Sequence, residues 1–87
     1  MKSKHLDSLS VITNPAKNYL LLKSIIDITS EFYYTILDMK GNEIVCSRIH
    51  NIYGKLVSIS IDFLKSGMYL LKLVVGDNYV VRSFVKV

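Results

Sequence analysis

The side chains that most often carry out chemistry in proteins are few in this sequence, and they form no familiar reactive grouping. The soft metal ligands are one cysteine and two histidines, at Cys46, His5 and His50. A structural zinc site needs closely spaced pairs of such ligands, and these three residues do not provide them. The sequence therefore predicts no metal site, and the single cysteine cannot form a disulfide within the chain.

Carboxylates offer another route to catalysis. Four of them, Asp27, Glu31, Asp38 and Glu43, could in principle pair as a general acid and a general base. They flank predicted turns, where carboxylates stay solvated and keep ordinary pKa values. A chain of this size also buries only about 60–65% of its unfolded surface, which leaves little room for a water-excluding active site. We therefore expect that the protein is not an enzyme and carries no cofactor.

Basic residues exceed acidic ones by eleven to seven, which gives a formal charge of +4. Most of them are scattered singly, whereas a nucleic-acid site needs them clustered on one face among aromatic residues. Lys72, Arg82 and Lys86 come closest to a cluster, because they fall on two neighbouring predicted strands. They could present a positive strip to a partner protein, or protect an edge strand from pairing with other chains. We expect no nucleic-acid partner.

The chain divides into a short extension and one domain. Residues 1–8 are polar and basic without periodicity, and we expect a flexible extension or linker there. Their lysines are not followed by an apolar core, so they do not form a secretory signal. The longest apolar run, residues 68–75, is interrupted by Lys72 and is far shorter than the ~20 residues that span a bilayer. Residues 9–87 are therefore predicted to be one domain that does not span a membrane.

Strand-like composition dominates that domain, with β-branched and aromatic residues between glycine-bearing turns. Residues 56–61 alternate most clearly, with Val57, Ile59 and Ile61 on one predicted face. Residues 68–75 place Tyr69, Leu71, Leu73 and Val75 toward the core. Further strands are predicted at residues 32–38, 43–49 and 79–87.

The last two strands are predicted to form a hairpin around a three-residue connection, residues 76–78. In the final strand, Val81, Val85 and Val87 alternate with Arg82, Phe84 and Lys86. Phe84 is thus expected on the more polar face, unless a bulge shifts the register. We expect Tyr69 and Phe84 to be core or rim aromatics, because aromatic rings dominate a core this small.

Residues 11–28 fit two local structures. In one, Asn14 caps a helix that has Pro15 at its first position. In the other, Asn14 and Pro15 form a turn before a short strand at residues 19–23 that is buried on both faces. Several short strands at even spacing favour an all-β sandwich, so we expect the second structure.

Read in order, four stretches resemble the C-terminal sorting domain of the type IX secretion system, the Por secretion tail. The stretches are VITNPAKNYLLLK, YTILDMKGNEIV, ISIDFLKSGMYLLKL and VVRSFVKV. Within them, Asn14, Pro15 and Ala16 keep the second half of the family's first turn, while Ile12 and Thr13 replace its first half. Asp38 and Gly41 match the aspartate-x-x-glycine turn of the middle hairpin. Leu64, Gly67 and Tyr69 match the motif that opens the penultimate strand, and Lys72 follows where the family often has lysine.

The resemblance implies a fold and a function. The implied fold is an all-β, immunoglobulin-like antiparallel β-sandwich of about seven strands at the end of a larger secreted protein. The implied partners are an outer-membrane translocon, the associated cell-surface processing machinery and an N-terminal passenger. The expected route runs through the periplasm to the medium or the outer cell surface. Recognition would use the terminal hairpin, with Lys72, Arg82, Phe84 and Lys86.

A rival interpretation is an immunoglobulin-like adhesion or carbohydrate-binding module that uses Tyr33, Tyr53 and Tyr79 as an aromatic platform. A further alternative is a spacer that only supports a neighbouring domain. The predicted outer face with Met68, Leu70 and Val74 could also allow weak self-association.

Overall fold

The computed structural model describes residues 9–24, 33–49, 51–75 and 77–87, and these form eight strands and no helix. The predicted all-β class is thereby confirmed. None of the described segments is a helix that could cross a membrane. The predicted extension at residues 1–8 lies outside the described residues, as do His5, Asp27, Glu31 and His50. The strands are β1 Ser10–Val11, β2 Tyr19–Lys23, β3 Tyr33–Leu37, β4 Glu43–Arg48, β5 Asn51–Tyr53, β6 Leu56–Ser60, β7 Gly67–Val75 and β8 Asn78–Lys86.

The strands form two four-stranded sheets, in the orders β1-β2-β6-β5 and β4-β3-β7-β8. Every strand pairing within them is antiparallel. The first order is that of the A-B-E-D sheet of an immunoglobulin domain, and the second is that of its C-F-G sheet with one additional strand, β4. The sandwich is therefore immunoglobulin-like in connectivity as well as in class.

The core lies between the two sheets, and each strand contributes alternate side chains to it. Val57 and Ile59 of β6 are buried, as is Ile61 just after it, so the face predicted from their alternation is confirmed. Leu71 and Leu73 of β7 are buried in the same core cluster as Leu20 and Leu22 of β2. One such cluster accounts for most buried apolar residues of the described chain, as a domain of this size requires.

The expected orientation of Phe84 is wrong, because the side of β8 that carries it faces the core. Phe84 is 1% exposed, whereas Val81 is 43% exposed on the opposite face. The cause is the pairing with β7, in which Phe84 lies directly opposite Tyr69. Directly paired residues of an antiparallel ladder point to the same face, so Phe84 follows Tyr69 inward. Lys86, two residues further, is carried inward with it and is only 8% exposed.

Residues 19–23 form the expected strand, but it is buried on one face only. Leu20 and Leu22 face the core, while Tyr19 and Lys23 are exposed. An antiparallel sheet of a sandwich packs one face inward and leaves the other in solvent, and the three consecutive leucines of β2 conceal this alternation. The helix considered for residues 11–28 is not formed in the described part of that range, which ends at Ser24 and contains bends and β2. The Asn14-Pro15 peptide bond is cis. Residues 25–28 lie outside the described residues.

The terminal hairpin is tighter than predicted. Val75 pairs with Asn78, so two residues connect β7 to β8 rather than three. Of these two, residue 76 lies outside the described residues. The short connection keeps β7 and β8 paired over nine residues each, which makes this hairpin the longest pairing among the described strands.

Candidate functional site

Residues 14–16 bind to the outer edge of the final strand, and we call this segment the clasp. The Ala16 N–H donates to the Val85 carbonyl at 2.8 Å, and the Val87 N–H donates to the Ala16 carbonyl at 2.9 Å. The Val85 N–H donates to the Asn14 side-chain Oδ1 at 2.9 Å. Ala16 thus forms a one-residue parallel bridge with Lys86. The clasp covers the last residues of β8, which would otherwise be an open sheet edge.

The clasp is held at its other side by β2. The Thr13 hydroxyl accepts from the Leu21 N–H at 2.9 Å and donates to the Tyr19 carbonyl at 3.3 Å. Ala16 is buried, and its small side chain allows the segment to approach the core closely. Threonine, which departs from the family's first turn, therefore has a local function here. Thr13 and the clasp that follows it thus connect β2 of the first sheet to the edge strand β8 of the second.

Leu64, Gly67 and Tyr69 form a tyrosine corner at the start of β7. The Tyr69 hydroxyl donates to the Lys65 carbonyl at 2.7 Å, four residues upstream. Such a corner, at the entry to the equivalent strand, is a hallmark of immunoglobulin-like sandwiches. Leu64 is buried beneath the turn, and Gly67 has φ +153°, which a residue with a side chain rarely adopts. This motif fixes the connection between the two sheets.

The Tyr69 ring also stacks on Phe84, with the ring centroids 5.7 Å apart and the planes inclined by 23°. Both rings lie in the core cluster. Of the two positions expected for these rings, core or rim, both rings occupy the core. Aromatic pairs of this geometry add about 0.5–1.5 kcal/mol beyond the area that they bury.

Asp38 and Gly41 form the tight turn between β3 and β4. The Asp38 Oδ1 accepts from the N–H groups of Lys40 and Asn42, each at 2.9 Å. These hydrogen bonds, that of the Asn42 N–H above all, lower the pKa of the Asp38 carboxyl below its ordinary value. Gly41, at φ +90°, has open space around its α-carbon, so glycine is needed for its backbone conformation alone.

Lys72, Arg82 and Lys86 do not form the expected single strip. Lys72 lies on the outer face of β7, where its ammonium sits 4.6 Å from the centroid of the Tyr79 ring. Arg82 pairs with Leu71 on the inner side, and its Nε donates to the Leu9 carbonyl at 3.3 Å. Lys86 is buried, with its Nζ donating to the Val87 carbonyl at 2.9 Å. Because side chains alternate between faces, the two strands divide these cations between opposite sides.

The three tyrosines of the rival binding module also separate. Tyr33 and Tyr79 are both opposite Val74 in the ladders, so they lie on the same outer face, and they are 47% and 61% exposed. Tyr53 belongs to β5, in the other sheet. One face of the Tyr79 ring is occupied by the Lys72 ammonium. Two of the three tyrosines thus share one face of the second sheet, and the third belongs to a strand of the first sheet.

A shallow cleft of about 180 Å³ opens between the sheets, and hydroxyl groups dominate its lining. Burial, with a smaller contribution from the neighbouring Cys46, raises the pKa of Tyr34 within it. Among the described residues that line the cleft, none is a carboxylate or a histidine that could act as a general base for these hydroxyls. Nor do the described residues contain a cluster of three or more metal-binding side chains. The cleft's polar residues are Tyr34, Ser47, Arg48, Ser58 and Ser60.

Most of the motif residues meet at one end of the second sheet. The start of β7 lies opposite both the end of β3 and the end of β8, through the pairs Leu37–Leu70 and Gly67–Lys86. The aspartate-x-x-glycine turn, the tyrosine corner, the clasp and the end of β8 are therefore neighbours. Sequence reasoning missed the hydrogen bonds of Asn14 and Tyr69, since their partners are not marked by residue type. For Tyr69, the sequence did offer one indication of the corner, namely Leu64 and Gly67 at fixed spacing before it.

One comparison with known proteins identifies a family. A family model described as the secretion system C-terminal sorting domain matches residues 10–87. The match begins at the first residue of β1 and includes all eight strands described above. The resemblance predicted from short motifs thus extends over the entire sandwich. A search of curated proteins gave no match to this sequence.

Proposed function

This chain belongs to the family of type IX secretion system C-terminal sorting domains, and we propose on that premise that it directs a larger passenger protein across the outer membrane. The domain acts by being bound, not by catalysing a reaction. The passenger precedes it in the full-length protein, passes through the periplasm and is then released or kept at the cell surface. The observation that carries this proposal is the family match over residues 10–87.

The fold supports recognition of a shaped surface. The motif residues that the family match includes maintain backbone shape: the clasp closes an edge, the tyrosine corner fixes a connection and Asp38 holds a turn. Together these contacts hold the backbone at one end of the second sheet in a fixed shape. In the proposed mechanism the translocon and the cell-surface processing machinery read this end and the hairpin β7-β8.

Lys72, Arg82 and Lys86 have different roles in the proposed recognition of the hairpin. Lys72 and Arg82 lie on opposite faces of the hairpin; the Lys72 ammonium lies over Tyr79 of the edge strand β8, and Arg82 is in that strand itself. Lys86 is buried, so it supports the end of β8 and is not itself displayed. Phe84 and Tyr69 maintain the core beneath this surface.

The test is an export assay with a fluorescent passenger. Residues 9–87 are fused to the C terminus of a passenger that is targeted to the periplasm, and the fusion is expressed in a host with a type IX translocon. An otherwise identical host without the translocon and the passenger without the domain serve as controls. We expect fluorescence outside the cell only for the fusion in the competent host. Retention of a folded fusion in both hosts would refute the proposal.

A further inference from the structure

Within the part of the chain that the structure describes, β8 is an edge strand that is only half covered. It is the last strand in the order β4-β3-β7-β8, so one of its sides has no strand neighbour. The clasp bonds to Val85 and Val87 on that side. Residues 79–83 lie beyond the reach of the clasp, and no other described segment pairs with their open side.

The backbone groups on the open side can be assigned from the ladder alternation. The N–H and carbonyl of Val85 both point to the clasp, away from β7. In an antiparallel ladder, every second residue has this outward direction. Tyr79, Val81 and Ser83 therefore direct their N–H and carbonyl groups away from β7. One of these groups, the Val81 carbonyl, accepts a hydrogen bond from the Arg82 Nη1 at 3.2 Å. This row of groups is a template for another strand.

Positive charge flanks this row on both faces. On the outer face, the Lys72 ammonium lies over the Tyr79 ring. On the inner side, the Arg82 guanidinium reaches out to the edge, where it contacts the carbonyls of Leu9 and Val81. Val81 lies opposite Lys72 and beside Arg82, at the centre of the row. Two copies of this chain paired through this edge would bring like charges together, which disfavours a second copy as the occupant.

We propose that residues 79–83 of β8 receive an extended strand from a partner protein, and that this strand carries acidic side chains on both of its faces. Main-chain hydrogen bonds to Tyr79, Val81 and Ser83 supply the attachment, and carboxylates next to Lys72 and Arg82 supply the selectivity. The inference rests on the proposed function, since it specifies how the sorting machinery would hold the hairpin. The clasp limits the pairing to this half of the edge.

The decisive variant is Val81→Pro, because proline removes one outward N–H without removing a bond to β7. Proline is tolerated on edge strands where the N–H faces solvent. The matched control is Cys46→Pro on β4, the opposite edge strand of the same sheet. Val81 is paired with Lys72, Lys72 with Thr35, and Thr35 with Cys46. Hydrogen-bonded and non-hydrogen-bonded pairs alternate from one ladder to the next along this row, so the Cys46 N–H points away from β3 just as the Val81 N–H points away from β7. Circular dichroism and thermal unfolding establish that both variants fold, with melting temperatures within about 5 °C of the unmodified chain.

Both variants are then measured in the export assay. We expect Val81→Pro to reduce export at least about tenfold, since one lost main-chain bond and a clash with the incoming strand both oppose pairing. We expect Cys46→Pro to be exported normally. If the unmodified fusion is exported and folded Val81→Pro is exported equally well, the edge inference is wrong while the proposed function stands. Failure of the unmodified fusion would instead remove the proposed function.

Charge reversal tests the acidic character of the partner strand. Lys72→Glu should reduce export, because it places a like charge beside the incoming carboxylates, whereas Lys23→Glu on the exposed end of β2 should not. Normal export of Lys72→Glu would show that the partner is not acidic there. Size-exclusion chromatography with light scattering tests the second copy as occupant: a dimer of the unmodified chain that Val81→Pro dissociates would overturn the proposal.

Discussion

Asn14 and Tyr69 each act through one side-chain oxygen whose partner is a backbone group. Asn14 accepts from Val85, 71 positions along the chain, and Tyr69 donates to Lys65, four positions back. Their residue types indicated a turn and a core position, and both indications hold. The partners could not be predicted, because a backbone N–H or carbonyl is present at every position and only the fold selects one.

The side-chain oxygen of Asn14 should be the atom through which this residue stabilises the fold. Asn14→Ala removes the acceptor of the Val85 N–H and should lower the free energy of unfolding by about 1 kcal/mol. Asn14→Asp retains an acceptor in the same place and should stay closer to the unmodified chain. Urea unfolding followed by circular dichroism measures both. Equal losses in the two variants would mean that the hydrogen bond contributes nothing.

The hydroxyl of Tyr69 should stabilise the corner independently of the ring. Tyr69→Phe keeps the ring on Phe84 but removes the bond to the Lys65 carbonyl, so we expect a loss of about 1 kcal/mol in unfolding free energy. Tyr33→Phe, on the exposed outer face, is the matched control and should leave stability unchanged. A loss of the same size in both variants would contradict the corner assignment.

The Asp38 carboxyl should make stability depend on pH in the acid range. Its pKa in the folded chain is lowered, first by hydrogen bonding from Asn42, so folding favours the charged form. The stabilisation is present above the ordinary carboxyl pKa and is lost as pH falls through the lower, folded value. Over this acid range, Asp38→Asn should therefore lose less stability than the unmodified chain. Thermal unfolding across that range measures the difference, and parallel curves would contradict it.

At the scale of the strand, β7 and β8 show what composition can and cannot predict. The face of β7 was predictable, because one alternating set is wholly apolar and the other contains Lys72. In β8 the valines suggested one buried face, but Phe84 and Lys86, on the other face, are the residues that are buried. The register with β7 decides the matter, and register is a property of two strands rather than one.

Because Phe84 points into the core and Val81 points outward, truncating these two side chains of β8 should have very different effects on the free energy of unfolding. Phe84→Ala empties a space in the core beside Tyr69 and should cost about 3–5 kcal/mol, which is enough to unfold much of a marginally stable domain. Val81→Ala, on the exposed face, should cost less than about 1 kcal/mol. Urea unfolding of both variants gives the comparison. A larger loss at Val81 would contradict the register.

For the whole molecule, the sequence motifs predicted the family and the sandwich but not the arrangement of the site. Asparagine-proline and aspartate-x-x-glycine segments are ordinary turns one at a time, and their order along the chain carried the prediction. That they meet at one end follows from the strand order β4-β3-β7-β8, which local patterns do not encode. The division of Lys72 and Arg82 between the two faces, and the clasp on β8, likewise required the fold.

Export of the passenger fusion in hosts with and without the type IX translocon tests the central claim most directly, when Phe84→Ala is measured beside the unmodified domain. We expect fluorescence outside the cell only in the competent host, and a decrease for Phe84→Ala in proportion to its unfolded fraction. Fluorescence outside both hosts, or none outside the competent host from a folded fusion, would contradict the conclusion that this sandwich is an export label.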